Sequence, residues 1–326
     1  MKEQEITRYL HSRYGMMLMM AAAVIGTIIA YRNGDIVYIT GNNGFGLPSA
    51  NEWITDRYAS LWAGIAVNVL LALLLSYMNR RFNVLRTMSH LFVGMFMIMQ
   101  EGLPSIMGQF YDGTVMCAIL LFAIIPLFST FQNPDLTRRI FLTFFLISIG
   151  SLTSYAYAIY IVAFLVGCLQ MRSFTMRGLM AATIGIVTPY WILWGFGIIS
   201  PSNFTLPEFV SLFNALEGRE LAQIIVYTGV TLFLGFGFGT LNLMRIYRYN
   251  ARTRAYNGFW LVVSLITAVL IFVDYNNLII YLPILNCCSA LQIGHFFRFN
   301  NQLRSYIPIL CIIGTYTALY IWSISI

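Results

Sequence analysis

Nine charged side chains at the borders of apolar stretches carry most of the chemistry this sequence could perform: Asp35, Glu52, Asp56, Arg57, Glu101, Asp112, Glu208, Arg219 and Asp274. A carboxylate such as Asp35, Asp56 or Glu101 can act as a general base toward a sugar hydroxyl. A guanidinium such as Arg57 or Arg219 can clamp a phosphate through paired charge-assisted hydrogen bonds. Together they would suit a transferase or polymerase working on a polyprenyl-phosphate-linked sugar, provided that the acid and the arginine face each other. Glu101 stands apart. In MFMIMQEGLPSIMGQFYDG (95–113) it abuts an apolar run, and a carboxylate turned toward hydrocarbon is costly unless it meets water or a partner.

Other chemistries lack their residues. His11, His90 and His295 lie at the borders of separate apolar runs and form no metal-ligand spacing; Cys117, Cys168, Cys287, Cys288 and Cys311 show no C-x-x-C pattern. We expect neither a metal nor a cofactor. Gly41, Gly44 and Gly46, and Gly235, Gly237 and Gly239, resemble phosphate loops only superficially, because no Lys-Ser/Thr ending or acidic partner follows. The second set reads as a helix-packing face. No zinc-protease, nucleotide-binding, serine-hydrolase or kinase signature occurs.

The elements that must position these groups follow from composition. The 326 residues are 59% hydrophobic and 10% charged, against about 25% charged in ordinary soluble domains, and the mean hydropathy is +0.75. The expected fold is all-α, a polytopic transmembrane bundle in a single membrane domain. Apolar runs at 14–31, 58–78, 88–99, 114–131, 140–154, 156–171, 178–199, 221–243, 257–273, 278–297 and 305–325 predict about eleven spans. The stretch 140–171 would measure about 48 Å as one helix, well beyond a hydrocarbon core of about 30 Å, so it predicts a helical hairpin turning near Ser154 and Tyr155. The third run is short and extends toward Met107 or re-enters. Glu101 is then expected near the outer end of that span, away from the bilayer midplane.

Charge orients the bundle. With the N-terminus in the cytoplasm and the C-terminus outside, 16 of the Lys and Arg residues fall inside, and only Arg32, Arg57 and Arg219 fall outside, as the positive-inside rule demands. The net charge of +7 is therefore a topology signal, and the basic loop at 244–256 is a cytoplasmic connection and not a nucleic-acid site.

Two outer loops have features of their own. In the loop 32–57, Asn33-Gly34 signals a turn, and Ser49 with Glu52 has capping-box spacing that predicts a helix feeding the second span. In the loop 200–220, Thr205 and Glu208 repeat the device, and Phe209, Leu212, Phe213 and Leu216 recur at helical spacing. This stretch predicts a short interfacial amphipathic helix, with Glu208, Phe209 and Phe213 as a lid or rim over a cavity. Asn203-Phe204-Thr205 is formally a glycosylation sequon.

Three blocks also carry a resemblance: NRRFNVLRTMSHLFVGMFMIMQEGLPS (79–105), FQNPDLTRRIFLTFFLISIGSLTSYAYAIYIVAFLVGCLQMRSF (131–174) and RGLMAATIGIVTPYWILWGF (177–196). In the order of spans, the basic loop before a double apolar segment and the Thr188-Pro189-Tyr190-Trp191 element, the chain resembles a group of multi-pass inner-membrane proteins of Bacteroidota, the DUF6427-like family. The resemblance implies a Gram-negative cytoplasmic membrane and an envelope-related role, and it transfers no catalytic residues. The leading expectation is a membrane protein supporting envelope biogenesis, with membrane lipids and a membrane-protein partner around it. The alternatives are the polyprenyl-phosphate sugar transferase and a transporter of small or lipid-linked substrates.

Overall fold

A computed structural model describes residues 2–34, 36–38, 46–85, 89–133, 136–199, 218–245, 250–299 and 306–325. Within them the protein is all-α: α1 (Lys2–Leu10), α2 (Arg13–Asn33), α3 (Arg57–Phe82), α4 (Leu91–Glu101), α5 (Pro104–Met107), α6 (Asp112–Phe128), α7 (Thr137–Thr153), α8 (Ala156–Gln170), α9 (Met176–Gly195), α10 (Gly218–Met244), α11 (Ala251–Val273), α12 (Leu278–Phe299) and α13 (Tyr306–Ile324). Seven helices among the described residues are long and apolar enough to cross a membrane: α2, α3, α9, α10, α11, α12 with the turn before it, and α13. The chain is a multi-pass membrane protein.

Local chemistry sets many helix ends. Ser12 caps α2 by accepting from the Gly15 N–H, and Gly34 ends it at a φ of 86°, which Gly adopts without a Cβ clash. Asp56 caps α3 through the Ala59 N–H, at 2.9 Å, and Asn250 caps α11 through Thr253. The hairpin expected within 140–171 is present: α7 ends at Thr153 and α8 begins at Ala156. The Ser49–Glu52 capping box does not start a helix that feeds α3. Ser49 instead caps a single 3-10 turn, Ala50–Glu52, because its hydroxyl is also claimed by Asp112.

The helices form concentric layers. Every residue of α4 from Leu91 to Gln100 is buried, and so is every residue of α12 from Leu278 to His295. Around these two central helices stand α2, α3, α6, α10 and α11; α7 and α8 extend the bundle, and α9 leans chiefly on α7. A run of 11 residues rises only about 16 Å, too short to cross a bilayer alone. Its break at Gly102–Leu103 is tolerable because it is enclosed by protein, where backbone groups can be satisfied.

Small residues allow the close approaches. A Cβ at Gly235 would strike the Ser289 hydroxyl of α12, and one at Gly185 would lie 2.7 Å from the Phe141 carbonyl of α7. Gly235 and Gly239 thus serve helix packing, whereas a Cβ added at Gly237 would meet nothing within 4 Å. The outer helices turn apolar side chains away from the bundle, as Trp191, Trp194 and Phe233 do, so the membrane covers them.

Candidate functional site

The connections sort into two ends. At one, which carries most of the carboxylates, α2 finishes, α3, α6, α8 and α12 begin, and α7 and α11 finish. Contacts tie these termini together: Ser60 accepts from the Phe110 N–H, Tyr111 donates to the Ile279 carbonyl, and Ser105 accepts from the Val37 N–H. At the other, arginine-rich end, His11 Nδ1 lies 2.7 Å from the Ser89 hydroxyl and the Gln132 N–H donates to the Met171 carbonyl. Burial lowers the pKa of His11 there.

Two carboxylates at the acidic end are withdrawn from solvent. Asp112, 2% exposed, sits in the first turn of α6, where the helix dipole favours an anion. Its Oδ2 accepts from the Ser49 hydroxyl and its Oδ1 from the Ala50 N–H, each at 2.7 Å, while its own N–H donates to Asn51 Oδ1. Asp112 therefore staples the 46–53 segment onto α6. Asp274, 6% exposed, closes α11. Its Oδ2 accepts from the hydroxyls of Tyr155 at 2.5 Å and Tyr281 at 2.6 Å, and Asn277 Nδ2 donates to both oxygens. That cluster joins the α7–α8 hairpin to the α11–α12 connection.

Of the residues singled out in the sequence, Asp35, Glu208, Phe209 and Phe213 lie outside the described residues, as do the sequon at Asn203 and the 200–217 stretch. Asp56 is exposed and occupied in capping α3; its neighbour Arg57 lies over the Tyr38 ring, 4.7 Å from its centroid. Arg219 is exposed in the first turn of α10.

Glu101 is the last residue of α4. Its carboxylate rests on the backbone of Gly26, seven residues before the end of α2, which puts it about 10 Å below that end at 1.5 Å per residue. The reason is that the chain continues toward the acidic end through α5, and only Ser105–Gln109 reaches the level of Val37. Glu101 closes a helix inside the bundle.

Next to it lies a polar layer that the sequence did not advertise. Gln100 Nε2 donates to Asn68 Oδ1 at 2.9 Å and Gln100 Oε1 accepts from Asn286 Nδ2 at 2.8 Å, joining α4 to α3 and α12. All three side chains are wholly buried. A second layer joins Asn242 of α10, Gln292 of α12 and Asn257 of α11. Between them, Thr231 of α10 pairs with the Tyr316 hydroxyl of α13, and Tyr227 donates to the Met99 carbonyl. The available signal was an isolated amide inside each apolar run, as in LWAGIAVNVLLALLL (61–75), but which amide meets which depends on helix rotation.

Chemically, these layers suit interhelical cohesion. The five cysteines are free thiols, four of them buried, and no group of three potential metal ligands occurs among the described residues. Comparison with known protein families, curated proteins and solved structures finds no match.

Proposed function

We propose that this chain is an eleven-span protein of the bacterial cytoplasmic membrane, N-terminus inside and C-terminus outside, that supports envelope biogenesis as the membrane partner of a larger assembly. The observation that carries this reading is how the interior polar groups are used. Asn68, Gln100 and Asn286, then Asn242, Gln292 and Asn257, bond mainly to one another, and Asp112 and Asp274 are engaged by hydroxyl, amide and backbone donors. Such groups hold helices together rather than await a substrate. The eleven long or medium helices coincide within a few residues with the eleven apolar runs, and alternation of their directions gathers the arginine-bearing connections at one end, in keeping with the proposed orientation. The Bacteroidota inner-membrane resemblance agrees with it.

The test has two arms. A tagged chain is captured from membranes in native nanodiscs, and lipid-linked glycans are profiled in a deletion strain. A reproducible co-purifying membrane complex with an unchanged glycan profile supports the assembly role. Accumulation of a polyprenyl-linked intermediate, rescued by the wild type but not by Asp35→Asn, Asp56→Asn or Glu101→Gln, would replace it with the transferase reading, in which Arg57 or Arg219 holds phosphate.

A further inference from the structure

Glu101 is the one carboxylate among the described residues set deep between helices without a donor built for it. A methyl group added at Gly26 would overlap Glu101 Oε1 and come within 2.9 Å of its Cδ, so the absence of a side chain on α2 makes the socket in which the carboxyl lies. The Tyr320 hydroxyl of α13 closes one side by donating to the Gly26 carbonyl at 2.7 Å. Tyr227 and Tyr316 pack against the adjacent Gly102. Glu101 remains partly accessible, and on the same turn of α2 Ile25 is 57% and Ile29 46% exposed to the surrounding membrane.

The neighbours supply no counter-charge. On α2 the cations are Arg13 and Arg32, near its two ends; α3, which also packs on α4, carries Arg57 in its first turn and Arg80 and Arg81 in its last; α4, α5 and α13 have none; α10 carries Arg219, beside Glu220, in its first turn; α12 carries Arg298 in its last, with His295 one turn before it. The three phenols nearby are engaged elsewhere: Tyr227 on the Met99 carbonyl, Tyr316 on Thr231, Tyr320 on Gly26. An ionised carboxylate about 10 Å inside the helix ends, with neither cation nor donor among the described residues, would carry a heavy desolvation cost, which a bound proton removes.

We infer that Glu101 in the Gly26 socket is a proton-binding site of the membrane interior, which takes up and releases a proton through the α2–α13 surface. The inference goes beyond the assembly role: it gives the chain a protonatable group placed where proton exchange can be coupled to movement of α2 against α4. Gly26 is a positioning residue for that group, and Tyr320 positions Gly26.

The test uses the full chain in lipid vesicles and dicyclohexylcarbodiimide, an apolar reagent that partitions into the bilayer and needs a protonated carboxyl. The acid O–H adds across one C=N bond, its proton going to nitrogen and its oxygen to the central carbon. The acyl group then migrates to nitrogen, so the product keeps every atom of both reactants and gains the mass of one reagent molecule. Mass spectrometry is expected to find the adduct on the peptide containing Glu101, with the labelling rate falling roughly tenfold per pH unit on the alkaline side of its titration. Glu101→Gln, the neutral isostere of the protonated form, should abolish the adduct while leaving the unfolding midpoint unchanged. Gly26→Ala should alter the labelling rate by displacing the carboxyl. Sodium should not protect; protection by sodium would overturn the proposal in favour of a metal-cation site. Labelling of Glu101 by a water-soluble carbodiimide but not by the apolar one would overturn it too, by showing an aqueous carboxylate. A large loss of stability in Glu101→Gln would likewise refute it, since that requires a charged carboxylate with a partner. None of these readouts depends on the capture or glycan experiments.

Discussion

Replacing Gln100 by methionine probes whether the central amide layer holds the bundle together. The side chain is wholly buried, and its amide bridges Asn68 Oδ1 at 2.9 Å and Asn286 Nδ2 at 2.8 Å. Methionine has similar length and no amide, so packing changes little while both bonds go. Hydrogen bonds between membrane helices average only about 0.6 kcal/mol, because the separated helices also find partners; two lost bonds amount to roughly 1 kcal/mol. Orphaning is the larger effect, since each buried group left unpaired costs about 1–3 kcal/mol. Asn68 Oδ1 loses the one partner assigned to it. Asn286 fares worse: its Oδ1 already lacks a partner among the described residues, and its Nδ2 would lose Gln100. With two groups orphaned, Gln100→Met should therefore cost about 2–6 kcal/mol. The decisive comparison is with Asn68→Leu, Asn286→Leu and the triple variant, which removes donors and acceptors together. The triple variant should lose at least about 1 kcal/mol less than the sum of the singles, as coupled sites do. Unfolding in mixed micelles with increasing dodecyl sulfate, followed by far-ultraviolet circular dichroism, measures each variant. Additivity within about 0.5 kcal/mol would show that the three amides do not act on one another, and the cohesion argument would fail.

Three further outcomes follow from other parts of the fold. Asp112→Asn turns a donor toward either the Ser49 hydroxyl or the Ala50 N–H; it should loosen the 46–53 segment by about 1–3 kcal/mol, read as faster hydrogen exchange at residues 49–53 with α6 unaffected. Gly185→Leu forces a side chain into the Phe141 and Phe145 backbone. Because α9 leans chiefly on α7, proteolysis should increase in the α9 region first, and a uniform loss of stability across the bundle would contradict that. For His11, burial lowers the folded-state pKa below the usual 6.5, so the unfolded chain takes up the proton first. The neutral ring's contribution is complete above about pH 6.5 and declines as pH falls below it. The thermal midpoint should fall more between neutral and mildly acidic buffer for the wild type than for His11→Gln; equal falls would assign the pH sensitivity to other groups.

The helical segments and their order were legible because membrane insertion is decided by local composition. An apolar run of sufficient length inserts whatever it later touches, and the hairpin at Ser154–Tyr155 followed from the length of 140–171 against the bilayer. Asn33-Gly34 was readable for a similar reason, since a positive φ is a demand on a single residue. Ser49 was misread because its hydroxyl serves a carboxylate 63 positions away, which no local spacing encodes. Asp56 could be picked out as an acid beside an arginine, yet its place at the N-cap of α3 shows only with the backbone in view. Glu101 illustrates the division most sharply. Its sequence context identified a carboxylate at the close of an apolar run; its depth, its glycine socket on α2 and its lack of a counter-ion among the described residues depend on how α2, α4, α10 and α13 pack. Composition and period act along one chain and determined the elements here, whereas the rotation and depth of each helix are set by neighbours distant in sequence, and these decided which polar groups meet.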